Sequence, residues 1–420
     1  MRNLAAYVLA GGRVMETGVL THRRAKAAVP FAGHYRIIDF AMSNLAASGI
    51  DRVGVLSQYR PSSLMDHVAT GEPWGLIGRG REVRILSPFQ AENAVDWYRG
   101  TADAVHQNLG FLEGEEHVLI VSGDHIYQMD YGKLIERHVA SGADATMVFK
   151  HLPEVRRRFG NGLIDGDGWV TKYLEKPDAP LSDLGSLTIF IFRRAALVEQ
   201  LEKLFRTTPT RFHIYETVVP ELVRQGRVQG LIFDDYWAYA RTVDDYYEAS
   251  MDLVTPGSGL SLDQWEVHTN PEQSGIGATP PAFIGKEADV RESRLSPGAV
   301  VHGRVHGSIL SPGVVVEAGA EVVGSVLLHG VRVEAGARVT RAIVDKHVLI
   351  AARAVVGHGE AAVASCTLPE YQRGGVTVIG RNTAIGVGCV VGANCQIAAD
   401  YELAAGTTVP DGGSRGGVTC

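Results

Sequence analysis

The chain has 420 residues, 45% of them hydrophobic and 21% charged, with a formal net charge of −7. That length implies more than one domain, and the composition is that of a folded protein in water. The acidic balance argues against a broad nucleic-acid surface, and no apolar run approaches the roughly 20 residues needed to cross a bilayer.

The opening MRNLAAYVLAGG runs straight into a glycine turn and a basic segment, with no separate mature start. It reads as a buried first strand of a cytoplasmic protein, not as a signal peptide. Short apolar runs at 5–10, 52–56 and 117–123 are bounded by glycine or charge, as buried parallel strands are. Between them TADAVHQNLGFLEG and YGKLIERHVASG have helical spacing and a terminal glycine. Strand–helix alternation over 1–254 predicts a doubly wound α/β sheet, which holds ligands beyond the carboxyl ends of its strands. Residues 255–281 are rich in Pro, Gly and Ser and read as a linker, with Trp265 packing at one end.

From 282 to 420 the period changes. Ile379, Ile385, Val391, Ile397, Leu403 and Val409 are spaced by six, and VVVEAGAEVVGSVLLHG (314–330) is echoed seventeen residues later. Neither a helix nor a lone strand has that period; a parallel β-helix with three short faces does. Its bland use is structural and oligomerising, and its sharper one is acyl transfer with His329, His347 or His358 as base. The four cysteines, Cys366, Cys389, Cys395 and Cys420, form no C-x-x-C pair and read as small buried or terminal thiols, not a zinc site.

Four segments carry the chemistry: RRAKAAVPFAGHYRIIDFAMSN (23–44), WYRGTADAV (97–105), GDHIY (123–127) and EKP (175–177). Together they resemble the glucose-1-phosphate adenylyltransferases (ADP-glucose pyrophosphorylases) of glycogen synthesis. The resemblance covers nearly the whole chain and implies a left-handed β-helix of hexapeptide repeats behind a nucleotidyltransferase-like domain. Adenylyl transfer needs a glycine-rich turn for the phosphates, cations to offset developing charge, and carboxylates for Mg²⁺. By resemblance Gly11, Gly12 and Arg13 form that turn and Lys26 contacts phosphate. Gln90, Tyr98 and Gly100 face the nucleobase, with Asp103 supporting their loop. Asp124, at the end of an apolar strand, is the first metal carboxylate. Glu175, Lys176 and Ser186 hold the sugar phosphate, and Arg23 occupies a position associated with allosteric activators. The implied ligands are ATP or ADP-glucose and glucose 1-phosphate or a sugar-phosphate effector. The implied assembly is a homo- or hetero-tetramer.

The chain also departs from that pattern. Val14 and Glu16 stand where the family has Gly and Arg, and Tyr239 and Arg241 where it has a metal-binding Asp and a Gly. Thr188 replaces a glycine, and HIYETVVP (213–220) an Asp-Phe-Gly run. Valine stiffens a flexible turn, glutamate reverses a needed charge, and a phenol is a poor Mg²⁺ ligand. The expectation is a weakly active or non-catalytic regulatory subunit, with Mg²⁺ binding weak or absent, that assembles with a catalytic paralogue. The alternatives are an active sugar-1-phosphate nucleotidyltransferase with a rearranged site and an acyltransferase in the β-helix.

Overall fold

The computed structural model describes residues 3–12, 15–88, 90–91, 94–95, 97–153, 159–207 and 210–417. Leu4–Leu9 lies at the heart of the N-terminal sheet because LAAYVL offers no charge to either face. It pairs in parallel with Arg52–Leu56 on one side and His117–Ser122 on the other, and Glu82–Leu86 continues the sheet beyond Arg52–Leu56. The rest of the sheet is mixed. Leu184–Arg193, apolar on both faces, runs antiparallel to His117–Ser122 and to Ala145–His151, which in turn pairs in parallel with Val228–Ile232. Helices cover both faces over two separate apolar clusters.

Register decides where the site falls. Leu9 is level with both Leu56 and Ser122, so three parallel strands end at one edge. A second pairing matters as much. Trp237–Tyr239 runs antiparallel to His125–Tyr127 and sets Tyr239 opposite His125, one residue from Asp124.

The C-terminal region is a left-handed parallel β-helix. Its described strands form three parallel sheets of seven, one for each face. Val315 pairs with Arg332, seventeen residues on, and Ala384 with Glu402, eighteen on, so the sequence repeat is the length of one coil. Ile379, Ile385, Val391, Ile397, Leu403 and Val409 are all buried in one apolar core. One coil is interrupted: Ala342 pairs with Thr377, and part of the intervening chain loops out. That loop carries Cys366, which is disulfide-bonded. The expectation of simple thiols is therefore corrected for Cys366, which lies outside the packed hexads, while Cys389 and Cys395 are free and buried.

The two regions share a core. Phe31, Phe40 and Tyr246 pack with Ile309, Val326 and Ile343, and Trp265 of the connecting segment meets Phe40 edgewise at 6.0 Å and Tyr236 at a tilt at 5.9 Å. Arg24 Nη2 donates to both oxygens of Asp345 at 2.7 and 2.6 Å, with both side chains buried.

Candidate active site

Where the three parallel strands end, a cavity of about 400 Å³ opens. Gly11 and Gly12 follow the first of them, Gln58 the second and Asp124 the third, and all line the wall. Gln58 clamps the loop above. Its Oε1 accepts from Tyr98 N at 2.8 Å and its Nε2 donates to Tyr98 O at 3.0 Å. Asp103 Oδ2 accepts from Arg99 N at 2.9 Å and Arg99 Nε at 3.0 Å, which fixes the next residue. A side chain on Gly100 would collide with the Phe212 carbonyl, so this loop and the segment around His213 approach only because glycine is there. Tyr98 and Gly100 thus reach the cavity together. Gln90 pairs with Val95 in a short hairpin, and its side chain, like Arg13 and Val14, lies outside the described residues.

The opposite wall carries Glu175, Lys176 and Ser186. Tyr173 Oη donates to Glu175 Oε2 at 2.6 Å, and Lys176 Nζ stands 3.6 Å from Glu175 Oε1. Burial pushes the Glu175 carboxyl upward, against the pull of Tyr173 and Lys176. Ser186 Oγ is buried beside the Tyr173 phenol and has no partner in hydrogen-bonding geometry among the described residues. Lys176 and Thr188 both hold left-handed backbone, at φ 47° and 53°. That conformation is sterically costly for a residue with a Cβ, most of all for the β-branched Thr188.

Between these walls the cations are already committed. Lys26 is buried, its Nζ 2.6 Å from Asp124 Oδ2 and 4.3 Å from the centre of the Tyr239 ring, and it does not line the cavity. Burial favours neutral forms of both Lys26 and Asp124. Lys26, His125 and a hydrogen bond from Ser122 nonetheless hold the Asp124 carboxyl far below the usual range. Burial also lowers His125 to about 4, so it is neutral at pH 7. Glu16 Oε1 accepts from Arg241 Nη2 at 2.8 Å and Arg241 Nε at 3.1 Å, and Arg241 Nη1 lies 3.3 Å from Tyr239 Oη.

The first region matches the nucleotidyl transferase family model over residues 5–255, and residues 280–379 match a GlmU-like C-terminal hexapeptide model. Curated glucose-1-phosphate adenylyltransferases are similar over most of their length. The one from Thermotoga neapolitana is 41% identical, covering 77% of each chain, and that from Clostridium perfringens (strain 13) 40%, covering 76% of this chain and 82% of its own. The one from Thermomicrobium roseum is 40% identical over 412 residues, 91% of this chain and 90% of the relative.

The chain belongs to the glucose-1-phosphate adenylyltransferase family.

Nucleotidyltransferases of this kind generally use Mg²⁺, and the adenylyltransferase pattern supplies two carboxylates for it. Here the donor set does not fit. Among the described residues no group of three or more His, Cys, Asp or Glu is placed to hold a metal. Asp124 is neutralised by Lys26, and burial, reinforced by Asp124, keeps the Tyr239 phenol protonated far beyond neutral pH. Asp244 and Asp245, close by in sequence, are engaged elsewhere. Asp244 accepts from the backbone N–H of Arg373 and Gly374 of the β-helix loop, and Asp245 forms a capping box with Thr242.

Two features escaped the sequence reading. Glu16 was expected to face phosphate as a bare negative charge, and Arg241 to fill a glycine position; the structure joins them into one pair. Opposite-sign departures on one site were the available signal. The reading also missed an aromatic wall, in which Phe159 meets Trp237 at 5.7 Å and Tyr239 at 5.9 Å. Arg23 lies away from the cavity, half exposed, 2.8 Å from Asp400 of the β-helix. None of His329, His347 and His358 lines the cavity.

Proposed function

We propose that this chain is a weakly active or non-catalytic regulatory subunit of an ADP-glucose pyrophosphorylase assembly in the cytoplasm. The family reaction joins ATP and glucose 1-phosphate to give ADP-glucose and pyrophosphate. This chain keeps the walls that would receive a nucleobase and a sugar and lacks a competent centre between them. The observation that carries the reading is Tyr239, whose ring lies over Lys26 where the family's second metal carboxylate belongs. A cation buried under a ring and paired with Asp124 is not free to follow charge developing on a transferred phosphoryl group.

The β-helix and the junction around Arg23 supply the means of coupling to neighbours, in a tetramer that includes a motif-complete paralogue. Mixing the purified chain with such a paralogue tests this. The expected result is co-elution as one tetrameric species with an altered effector response of ADP-glucose synthesis. Separate elution with an unchanged response would reject the regulatory role.

A second reading, an active nucleotidyltransferase with a rearranged site, draws support from the Arg241 guanidinium at the cavity wall. It requires Mg²⁺-dependent pyrophosphate release that is lost on Asp124→Ala.

A further inference from the structure

Each carboxylate facing the cavity has one cation of its own. Asp124 has Lys26, Glu16 has Arg241 and Glu175 has Lys176, at 2.6, 2.8 and 3.6 Å. Arg99 also lines the cavity, held from behind by Asp103, so the wall offers little surplus positive charge. A triphosphate brings several negative charges together, and in water-poor surroundings their repulsion by Glu16 and Asp124 is expensive unless a metal ion offsets it. The carboxylates that could hold that ion are each already paired with a cation. The diphosphate bridge of a nucleotide sugar is a lighter load, with a single charge on each phosphate. Its two ends, a nucleobase and a sugar, match the two walls that remain built.

Of the cations between those walls, Lys26 is shut behind Tyr239, whereas Arg241 lines the cavity with its side chain 27% exposed. Glu16 engages its Nε and Nη2 edge and Tyr239 Oη accepts from Nη1, which orients the planar fork and leaves one N–H on each of Nη1 and Nη2. A guanidinium so fixed is suited to a phosphate oxygen, because its remaining donors are pre-aimed.

We infer that Arg241 is the phosphate contact of this cavity, and that the ligand it takes is a nucleoside diphosphate sugar bound without a divalent cation. The inference rests on the reading of the cavity as a nucleotide and sugar site. The Glu16–Arg241 exchange then moves the site's cation instead of abolishing it, and the site senses the product of a partner's reaction.

The test is isothermal titration of the full chain with ADP-glucose and with ATP, each in excess EDTA and in millimolar Mg²⁺. ADP-glucose is expected to bind equally well in both buffers, and more tightly than ATP in either. Arg241→Met should weaken ADP-glucose about tenfold or more, the usual loss for one charged hydrogen bond. Because that variant strands Glu16, Glu16→Gln/Arg241→Met is titrated beside it and should show the same loss without a buried unpaired charge. Mg²⁺-dependent ADP-glucose binding, tighter binding of ATP, no ADP-glucose binding, or an unchanged affinity in the double variant would each overturn the inference. Pyrophosphate release by the unaltered chain is a separate readout, and it bears on the regulatory reading alone.

Discussion

Glu16 and Arg241, 225 residues apart in the chain, meet at 2.8 Å on the wall of the cavity. Each is a departure from the family pattern, and each makes sense of the other. Glu16 without Arg241 is a half-buried carboxylate facing a phosphate site; Arg241 without Glu16 is an unpaired guanidinium where glycine belongs.

This coupling governs how activity can be rebuilt. Glu16→Arg with Tyr239→Asp alone sets a second guanidinium beside Arg241, and like charges at that distance repel. The triple variant Glu16→Arg/Tyr239→Asp/Arg241→Gly removes the conflict. Pyrophosphate release should be measurable in the triple variant and remain lower by about tenfold or more in the double. Equal rates in both would show that Arg241 does not obstruct the rebuilt site.

Asp124 is the counter-charge of the buried Lys26. Asp124→Asn leaves Lys26 buried without its counter-charge and should cost about 3–5 kcal/mol in urea unfolding. Lys26→Met/Asp124→Asn should recover most of that loss, because no charge is then stranded. A double variant as unstable as the single would mean that the pair's ionic character is not what holds it.

Thr188 tests the backbone of the cavity wall that carries Glu175 and Ser186. A β-branched residue at φ 53° is strained, and glycine relieves the strain at some cost in unfolded-chain entropy. Thr188→Gly should therefore stabilise the chain by about 1 kcal/mol, read as a rise in Tm of roughly 1–2 °C. A fall in Tm would show that the threonine side chain contributes more than its backbone strain removes.

Lys346, at the junction of the two regions, carries a pH signature. Burial, with Arg36 and Arg24 nearby, brings its pKa down from 10.5 to about 7. Below that value the lysine is charged in both states, and the folded state carries the full burial cost. Between about 7 and 10.5 the unfolded chain binds a proton that the folded chain does not, so this group's contribution to stability rises with pH. Lys346→Met should stabilise by roughly 1–3 kcal/mol at pH 6, and the gain should shrink towards pH 10. A gain independent of pH would exclude the titration.

Much of this was legible in the chain itself. The β-helix could be read because one residue type recurs at one spacing, and Ile379 to Val409 do fill its core. Asp124 and Gly100 could be found because their motifs fix local geometry. The antiparallel course of Leu184–Arg193 could not, since an apolar run says nothing of direction. Nor could the pairing of Glu16 with Arg241 or the stacking of Tyr239 on Lys26, because both depend on an antiparallel strand pair that sets His125 opposite Tyr239 across more than a hundred residues.

The most direct measurement is pyrophosphate release by the purified chain with ATP, glucose 1-phosphate and Mg²⁺, with and without glycolytic effectors. The account predicts release at background or only weakly above it in every case, from protein that still binds nucleotide sugar in the calorimeter. Robust Mg²⁺-dependent release, abolished by Asp124→Ala in folded protein, would contradict it and make this chain an enzyme in its own right.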